Sequence, residues 1–562
     1  MSVADIPYLH PGWWLAGLGI VALFLRGGAR RVVTLIAPML ALAVLIVLPD
    51  GTHGSWALMG QAVPALRMDP LARLFGIAFA IAALAGVVFA WRQESRVEGS
   101  AALVYAGAAI AAALSADLVT LFVSWEAMAL ASTAILWSAG PAAFPAAQRY
   151  LAVHLLGGML LMAGIVGYVG ETGSITLAGM APDNVSRALI LAGFLVNAAA
   201  VPLASWLPDA YPESSWSGMV FLSAFTTKVA LLALLRAFPG AEVLVVLGLL
   251  MALYGAAYAL VESDMRRILA YAIVGQQGVM LVGVGIGTPL SINGATSHAV
   301  ASIFYTGLVA MATGAVLYQT GRRDCGDLGG LWRPMPFTAA AACLGALAFA
   351  GVPLASGFVT KSLVSAAAAE SGLDGVRWSL AAASAASLLA AGFKLPWRVF
   401  FHRTAGLRPA EAPVSQRVAM SILAAMTLAI GLVPGLLYRL LPLPVSYEPF
   451  TVATLLGTAA TMGAGALAVM ALLPLLRRSN SHLPDIDQLW RGPGPRIALA
   501  IERAVQSSMR AIAALRRAGI AALVRRFQPG TRGASLARNW TVRVMVLWVV
   551  VALAGILVLS YR

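Results

Sequence analysis

The chain has 562 residues, 60% of them hydrophobic and 11% charged, with a mean hydropathy of +0.85; this excludes a soluble globular domain and a disordered chain, and requires a helical membrane protein. The net charge of +15 does not indicate nucleic acid, because the basic residues stand between apolar runs and in one late tract, where membrane orientation accounts for them. Two cysteines, Cys325 and Cys343, offer neither a disulfide framework nor a metal-ligand spacing, so no metal and no redox cofactor is expected.

Apolar windows of membrane-crossing length fall at 12–26, 32–49, 71–91, 100–115, 117–139, 150–170, 188–203, 216–236, 243–261, 268–287, 295–318, 337–370, 378–400, 417–441, 451–475 and 541–560. They predict an all-α polytopic protein of about sixteen transmembrane helices. The first window follows no basic n-region, its first arginine being Arg26, and reads as a retained helix. The window at 337–370 is long enough to be broken. With the N-terminus outside, Arg26, Arg30, Arg31, Arg92, Arg96, Arg149, Arg266, Arg267, Arg322, Arg323, Arg333, Arg398, Arg403 and Arg408 fall inside, and outer loops keep few, such as Arg67, Arg187 and Arg377. Over 496–527, Ile501, Val505, Met509, Ile512, Leu515, Leu523 and Phe527 recur at helical spacing opposite Arg503, Arg510, Arg516, Arg517, Arg525 and Arg526. This predicts a basic amphipathic helix, lying on the inner leaflet or against a neighbouring subunit.

Of the 38 basic side chains only Lys228, Lys361 and Lys394 are lysines, and all three stand in or at the edge of apolar runs. An ammonium can lose its proton when desolvated, whereas a guanidinium stays charged, so lysine reserved for membrane depth points to proton movement. Snorkelling is the alternative for Lys361 and still more for Lys394. The segment Val201-Pro202-Leu203-Ala204-Ser205 returns as Val352-Pro353-Leu354-Ala355-Ser356, and proline there predicts a helix break in each half, of the kind that lines a cavity in repeat transporters. Beyond the breaks come Ser223-Ala224-Phe225-Thr226-Thr227-Lys228 and Ser356-Gly357-Phe358-Val359-Thr360-Lys361. Glu126 is the only acidic residue in the middle of an expected span. His154, His298, Gln276 and Gln277 are further intramembrane polar groups, each fit for a helix-to-helix hydrogen bond or a relay.

The segments Leu121–Leu130, Val201–Pro212, Thr226–Arg236, Met265–Gly278 and Gly326–Lys361 resemble the antiporter-like membrane subunits shared by respiratory complex I, membrane-bound hydrogenases and Mrp-type multisubunit cation/proton antiporters, the D-class subunits of the Mrp type above all. The resemblance covers roughly residues 60–440. It implies a core of about fourteen helices with two inverted five-helix repeats, broken helices and a hydrated polar axis. The chain then divides into N-terminal helices (1–115), a first repeat (116–262), a second repeat (263–408), C-terminal core helices (409–475), the basic amphipathic segment (476–540) and a last span (541–562). Glu126, Lys228, His298 and Lys361 match the family's charged and histidine positions. Asn197 stands where many relatives place the lysine that pairs with the glutamate, Thr306 where they place a central lysine, and Ser302 and Ala204 where they place further histidines. Glu126 thereby loses its expected partner, and a path past Thr306 needs water or Gln276, Gln277 and His298.

The resemblance implies a proton-translocating subunit, alone or in exchange for a cation such as Na+, in a multisubunit complex of a bacterial inner membrane. It would have no redox site of its own, even where its complex is of the NADH:quinone oxidoreductase or hydrogenase type. The expected path runs over Glu126, Lys228, Lys361, His298, Asn197, Thr306 and Lys394; the expected partners are other membrane subunits and lipid, with no nucleic acid. A non-conducting connecting subunit is the competing reading, supported by the missing central lysine and opposed by the retention of Lys228 and Lys361.

Overall fold

The computed structural model describes residues 10–58, 61–402 and 406–477, with Arg503 and Ser507 beyond them. The expected basic amphipathic helix and the last expected span lie outside the described residues. Every expected window up to 451–475 falls on a helix. Gly27–Val47, Pro70–Arg92, Leu118–Ser138, Pro141–Thr172, Val243–Val261, Met265–Ile286, Pro289–Thr320 and Val414–Leu432 are among those long and apolar enough to cross a membrane. Local chemistry starts them. Asp69 accepts from the Ala72 N–H ahead of Pro70–Phe89, Asp117 from Val119 and Thr120 ahead of Leu118–Ser138, and Thr288 from Ser291 ahead of Pro289–Thr320. Each side chain satisfies donors that the first helical turn leaves open, and proline follows directly in two of the three cases.

Met265–Ile286 and Pro289–Thr320 are buried along nearly their whole length and form the centre, whereas Val243–Val261 and Pro141–Thr172 keep an outer face. In hydrocarbon, helices associate by close contact rather than by exclusion of water. The stripe Gly248, Ala252 and Gly255 accordingly meets Gly275 and Gly278 of Met265–Ile286 backbone to backbone.

Three interruptions cut the spans. Val185–Asn197 ends before the Pro202 motif, Gly218–Leu222 is separated from Thr226–Ala237 by residues 223–225, and Pro336–Ala350 is separated from Ser356–Glu370 by Gly351 to Ala355. The sequence reading expects one proline break per half. The interruption next to Lys228, however, contains no proline: the Ser223 hydroxyl donates to the Val220 carbonyl, and the Thr226 N–H donates to the Tyr105 hydroxyl at 3.0 Å. A tertiary acceptor has replaced the helix's own. In the second half, Gly351 is left-handed at φ 72° and Pro353 lacks a donor, so the expected break is where the helix stops.

The departure from an all-helical chain is an antiparallel hairpin, Gly51–Leu58 paired with Gln61–Met68. Its second strand buries Leu66 and Met68 on either side of Arg67, whose N–H donates to the Leu114 carbonyl. Beside it, Arg236 bridges Asp69 and the Ser115 carbonyl. At the opposite end, Arg266, only 1% exposed, donates to the carbonyls of Pro212, Ser214 and Ser215 and to the Ser214 hydroxyl. Arg323 joins Glu213 and Asp264, and burial nonetheless keeps the Asp264 carboxyl above its ordinary range. Across the same loop, Glu98 accepts from Ser138, Ser215 and Ser217. These groups hold the segment that leads into Gly218–Leu222. Removing the guanidinium strands several buried carbonyls, so Arg266→Met should lower stability by about 3 kcal/mol, read as a fall in melting temperature of the solubilised protein; an unchanged melt would contradict the clamp.

Candidate functional site

Thr227 and Thr360 each precede a lysine in the two Ser-x-Phe-x-Thr-Lys segments, and both lie in the first or second turn of a helix that restarts after a break. Lys228 is 1% exposed, and its Nζ donates to the Thr227 hydroxyl at 3.2 Å. No described carboxylate pairs with it. The Thr227 carbonyl in turn accepts from Gln277 Nε2 at 2.8 Å.

The preceding residue on Met265–Ile286, Gln276, begins a second cluster. Its Oε1 lies 3.2 Å from His298 Nε2 and accepts from the Tyr305 hydroxyl at 3.3 Å. His298 Nδ1 lies 2.8 Å from the Thr360 hydroxyl, which is also 3.0 Å from the Ser356 carbonyl. Two self-consistent arrangements fit these contacts. With the proton on Nδ1, the imidazole donates to Thr360, Thr360 donates to Ser356, and Tyr305 donates to Nε2, 3.5 Å away. With the proton on Nε2, the imidazole donates to Gln276 and Thr360 donates to Nδ1. The contacts suit a proton on either ring nitrogen, which is what a relay needs.

Lys361 follows Thr360 directly, and its Nζ donates to the Phe349 carbonyl at 2.7 Å, one of the acceptors left open where Pro336–Ala350 ends. A Cβ on residue 357 would overlap the Ala348 carbonyl oxygen, so only glycine lets the restarted helix pack onto the end of the preceding one and bring Lys361 to that carbonyl. Lys361 also faces a cavity of about 70 Å³ bordered by Ser362, Ser365, Ser384, Thr458 and Thr461, which has room for several waters. Gln277 Oε1, Thr296 Oγ1 and Ser356 Oγ are buried without a protein partner, as water-binding groups are.

Of the residues expected from the sequence, the structure brings Lys228, His298 and Lys361 to one polar axis together with Gln276 and Gln277. Thr306 is buried on the same helix, but its neighbour Tyr305 supplies the hydroxyl that reaches the imidazole. Ser302 bonds its own helix at Ala299. Glu126 and Asn197 stand apart on Leu118–Ser138 and Val185–Asn197, and no hydrogen bond joins them. Lys394 lies elsewhere: its Nζ donates to the Leu260 and Glu262 carbonyls at the end of Val243–Val261, so it caps a helix at a span end rather than joining the axis. The sequence reading missed Thr227, Thr360 and Tyr305, although the repeated threonine before each lysine is a signal for two of them. It also missed Glu98, which lies in a first helical turn outside the apolar windows.

The model of the NADH:quinone oxidoreductase/Mrp antiporter transmembrane family matches residues 115–393, the stretch that carries this axis. NADH-quinone oxidoreductase subunit N of Desulforudis audaxviator is 30% identical over 388 residues, covering 61% of this chain and 77% of that protein. The chain belongs to this family. The D-class Na(+)/H(+) antiporter subunit of Alkalihalophilus pseudofirmus is 29% identical over 269 residues, covering 44% of this chain and 54% of that protein. A chain of respiratory complex I from Thermus thermophilus, at 26% identity, superposes with a TM-score of 0.65 over 76% of this chain and 97% of that one. Among curated relatives the chain spans as little as 39% of one and 77% of another. The family, the helical fold and the multi-pass membrane character expected from the sequence are thus found.

The position of Lys394 separates it from the axis experimentally. Lys394→Met should leave ion transport near the wild-type rate while costing about 1 kcal/mol of stability through the lost cap, checked by vesicle transport and thermal melting; loss of transport with an unchanged melt would put Lys394 on the path.

Proposed function

We propose that this chain is a proton-translocating subunit of a multisubunit complex in a bacterial cell membrane, moving protons between Lys228 and Lys361. The observation that carries the reading is the imidazole of His298, hydrogen-bonded toward Gln276 on one side and to Thr360 on the other, with both ammonium groups within electrostatic reach. A proton leaving Lys228 passes to the Thr227 hydroxyl and then through water bound at Gln277 Oε1 to the imidazole, which Gln276 orients. The imidazole releases its other proton to Thr360, and Thr360 hands one through water to Lys361, which discharges into the hydroxyl-bordered cavity. The hydroxyls, the water and the amines take and release protons at one atom and the imidazole at two, while the glutamines only hold the water and the ring, so no covalent bond other than O–H and N–H changes. Like charges on both sides of one ring disfavour each other, so arrival of a proton at Lys228 favours departure of one from Lys361. Relatives named as Na(+)/H(+) and K(+)/H(+) antiporter subunits support coupling to a cation in the whole complex. Its remaining partners are the other membrane subunits and the lipid around its apolar exterior.

In inverted vesicles holding the complete complex, Lys228→Met and Lys361→Met should each cut proton uptake at least about tenfold with assembly intact. Removing the buried ammonium should also raise the stability of Lys228→Met by about 1–3 kcal/mol. Unchanged uptake in both variants would contradict conduction and leave the connecting-subunit reading.

A further inference from the structure

Glu98 lies in the first turn of Arg96–Ala113 and is 1% exposed. Its Oε1 accepts from the Ser215 hydroxyl at 2.8 Å and from the Ser217 hydroxyl, and its Oε2 meets the Ser138 hydroxyl at 3.2 Å. Ser215 Oγ takes the Gly218 N–H at 2.9 Å and Ser217 Oγ takes Gln93 Nε2 at 3.0 Å, so both serines turn their protons to Glu98. Ser138 can turn either way, because the Ile135 carbonyl lies 2.7 Å from its oxygen. With the carboxyl ionised, Ser138 donates to Oε2. With a proton on Oε2, the carboxyl donates to Ser138 and Ser138 to Ile135. The network is satisfied in both states.

The charged groups around it are committed to other partners. Arg30 donates from Gly27–Val47 to the carbonyls of Gln93, Glu94 and Ser95. Arg266, within electrostatic reach of Glu98, donates from Met265–Ile286 to those of Pro212, Ser214 and Ser215, and Arg323 joins Glu213 and Asp264. Glu94 and Arg96 are exposed. Among the described residues no ion pair reaches Glu98, and burial lifts its carboxyl above the ordinary range against the pull of the hydroxyls. A carboxyl raised in the closed cluster and ordinary in water favours the closed cluster while protonated; that preference is lost as pH rises through the raised value. Ser215 and Ser217 lead into Gly218–Leu222 and the break at residues 223–225 before Lys228, at the end that the arginines assign to the inner face. We infer that Glu98 is a titrating gate at the inner end of the first half: protonated, it seals the segment 214–217 beside the break; ionised, it draws water into that segment and gives Lys228 access to the inner solution. Glu98 is thus a positioning residue that acts on Lys228 through the segment, and the inference rests on the reading that Lys228 carries protons.

The test uses the complete complex and Glu98→Gln, whose amide copies the protonated carboxyl: Nε2 can donate to Ser138 while Oε1 accepts from Ser215 and Ser217. Amide hydrogen exchange over residues 214–225, corrected for its intrinsic pH dependence, should quicken at least about fivefold in the wild type between about pH 5 and about pH 8 and stay slow in Glu98→Gln at both. In inverted vesicles, where the inner face meets the buffer, proton uptake by Glu98→Gln should match the wild type at about pH 5 and fall at least about fivefold below it at about pH 8. Glu98→Asp, which still titrates, should restore the rise with pH. Exchange in the wild type that does not change with pH would overturn the gate, as would equal uptake by Glu98→Gln at the higher pH or a loss by the same factor at both, the mark of a merely structural residue. Lys228→Met is measured alongside: uptake at the wild-type rate in that variant would contradict conduction through Lys228, and the exchange of residues 214–225 would still decide the gate.

Discussion

An ammonium group in the interior of a bilayer has lost its water and, at Lys228 and Lys361, gains no carboxylate among the described residues in exchange. That cost, on the order of 2.5–3.5 kcal/mol for a charge at a helix centre, sets the terms for everything packed around Lys228 and Lys361. Lys228 has a hydroxyl from its own sequence neighbour, and Lys361 has a carbonyl from the end of a helix that stops in mid-span. Neither contact is as strong as an ion pair. A proton held this way is held loosely enough to move, which a carboxylate partner would oppose.

The broken helices follow from the same constraint. An unbroken helix uses all of its interior carbonyls, so an acceptor for Lys361 exists only because Pro336–Ala350 ends at Gly351. The break beside Lys228 is held open by different means: the Tyr105 hydroxyl takes the N–H that would otherwise continue the helix, and the Glu98, Arg266 and Arg323 cluster fixes the segment ahead of Gly218–Leu222. Backbone irregularity at this depth persists where it faces protein or water. Both breaks do so, because the fully buried pair Met265–Ile286 and Pro289–Thr320 stands at the centre and supplies Gln276, Gln277, His298 and Tyr305.

Much of this is legible in the sequence, for reasons of length and period. A run of apolar residues long enough to cross a bilayer admits one interpretation, which is why the windows and helices coincide. Lysine at membrane depth stands out against a background of arginine. What the sequence leaves open depends on tertiary partners: the break at residues 223–225 carries no proline, and its cause lies more than a hundred residues away at Tyr105. The hairpin 51–68 occupies a segment with neither a helical period nor a membrane-length run. Lys394 looks like its two fellows in composition, and only the carbonyls of Leu260 and Glu262 show that it caps a helix end. Thr306 marks the right turn of the right helix, but the side chain before it points into the axis. The proline motif at Val201 pairs in sequence with the one at Val352, whereas the closer structural echo is the Ser-x-Phe-x-Thr-Lys pair, whose threonines carry hydrogen bonds that join Lys228 to Gln277 in one half and meet the imidazole next to Lys361 in the other.

The proton path stands or falls on whether the imidazole and the Thr360 hydroxyl hand protons on. Thr360→Val keeps the side chain's shape and removes the hydroxyl that His298 Nδ1 meets at 2.8 Å. Proton uptake should then fall at least about tenfold in vesicles of the complete complex, with subunit content and melting temperature unaltered. Uptake at the wild-type rate from such a complex would show that protons cross by another route and would contradict the central claim.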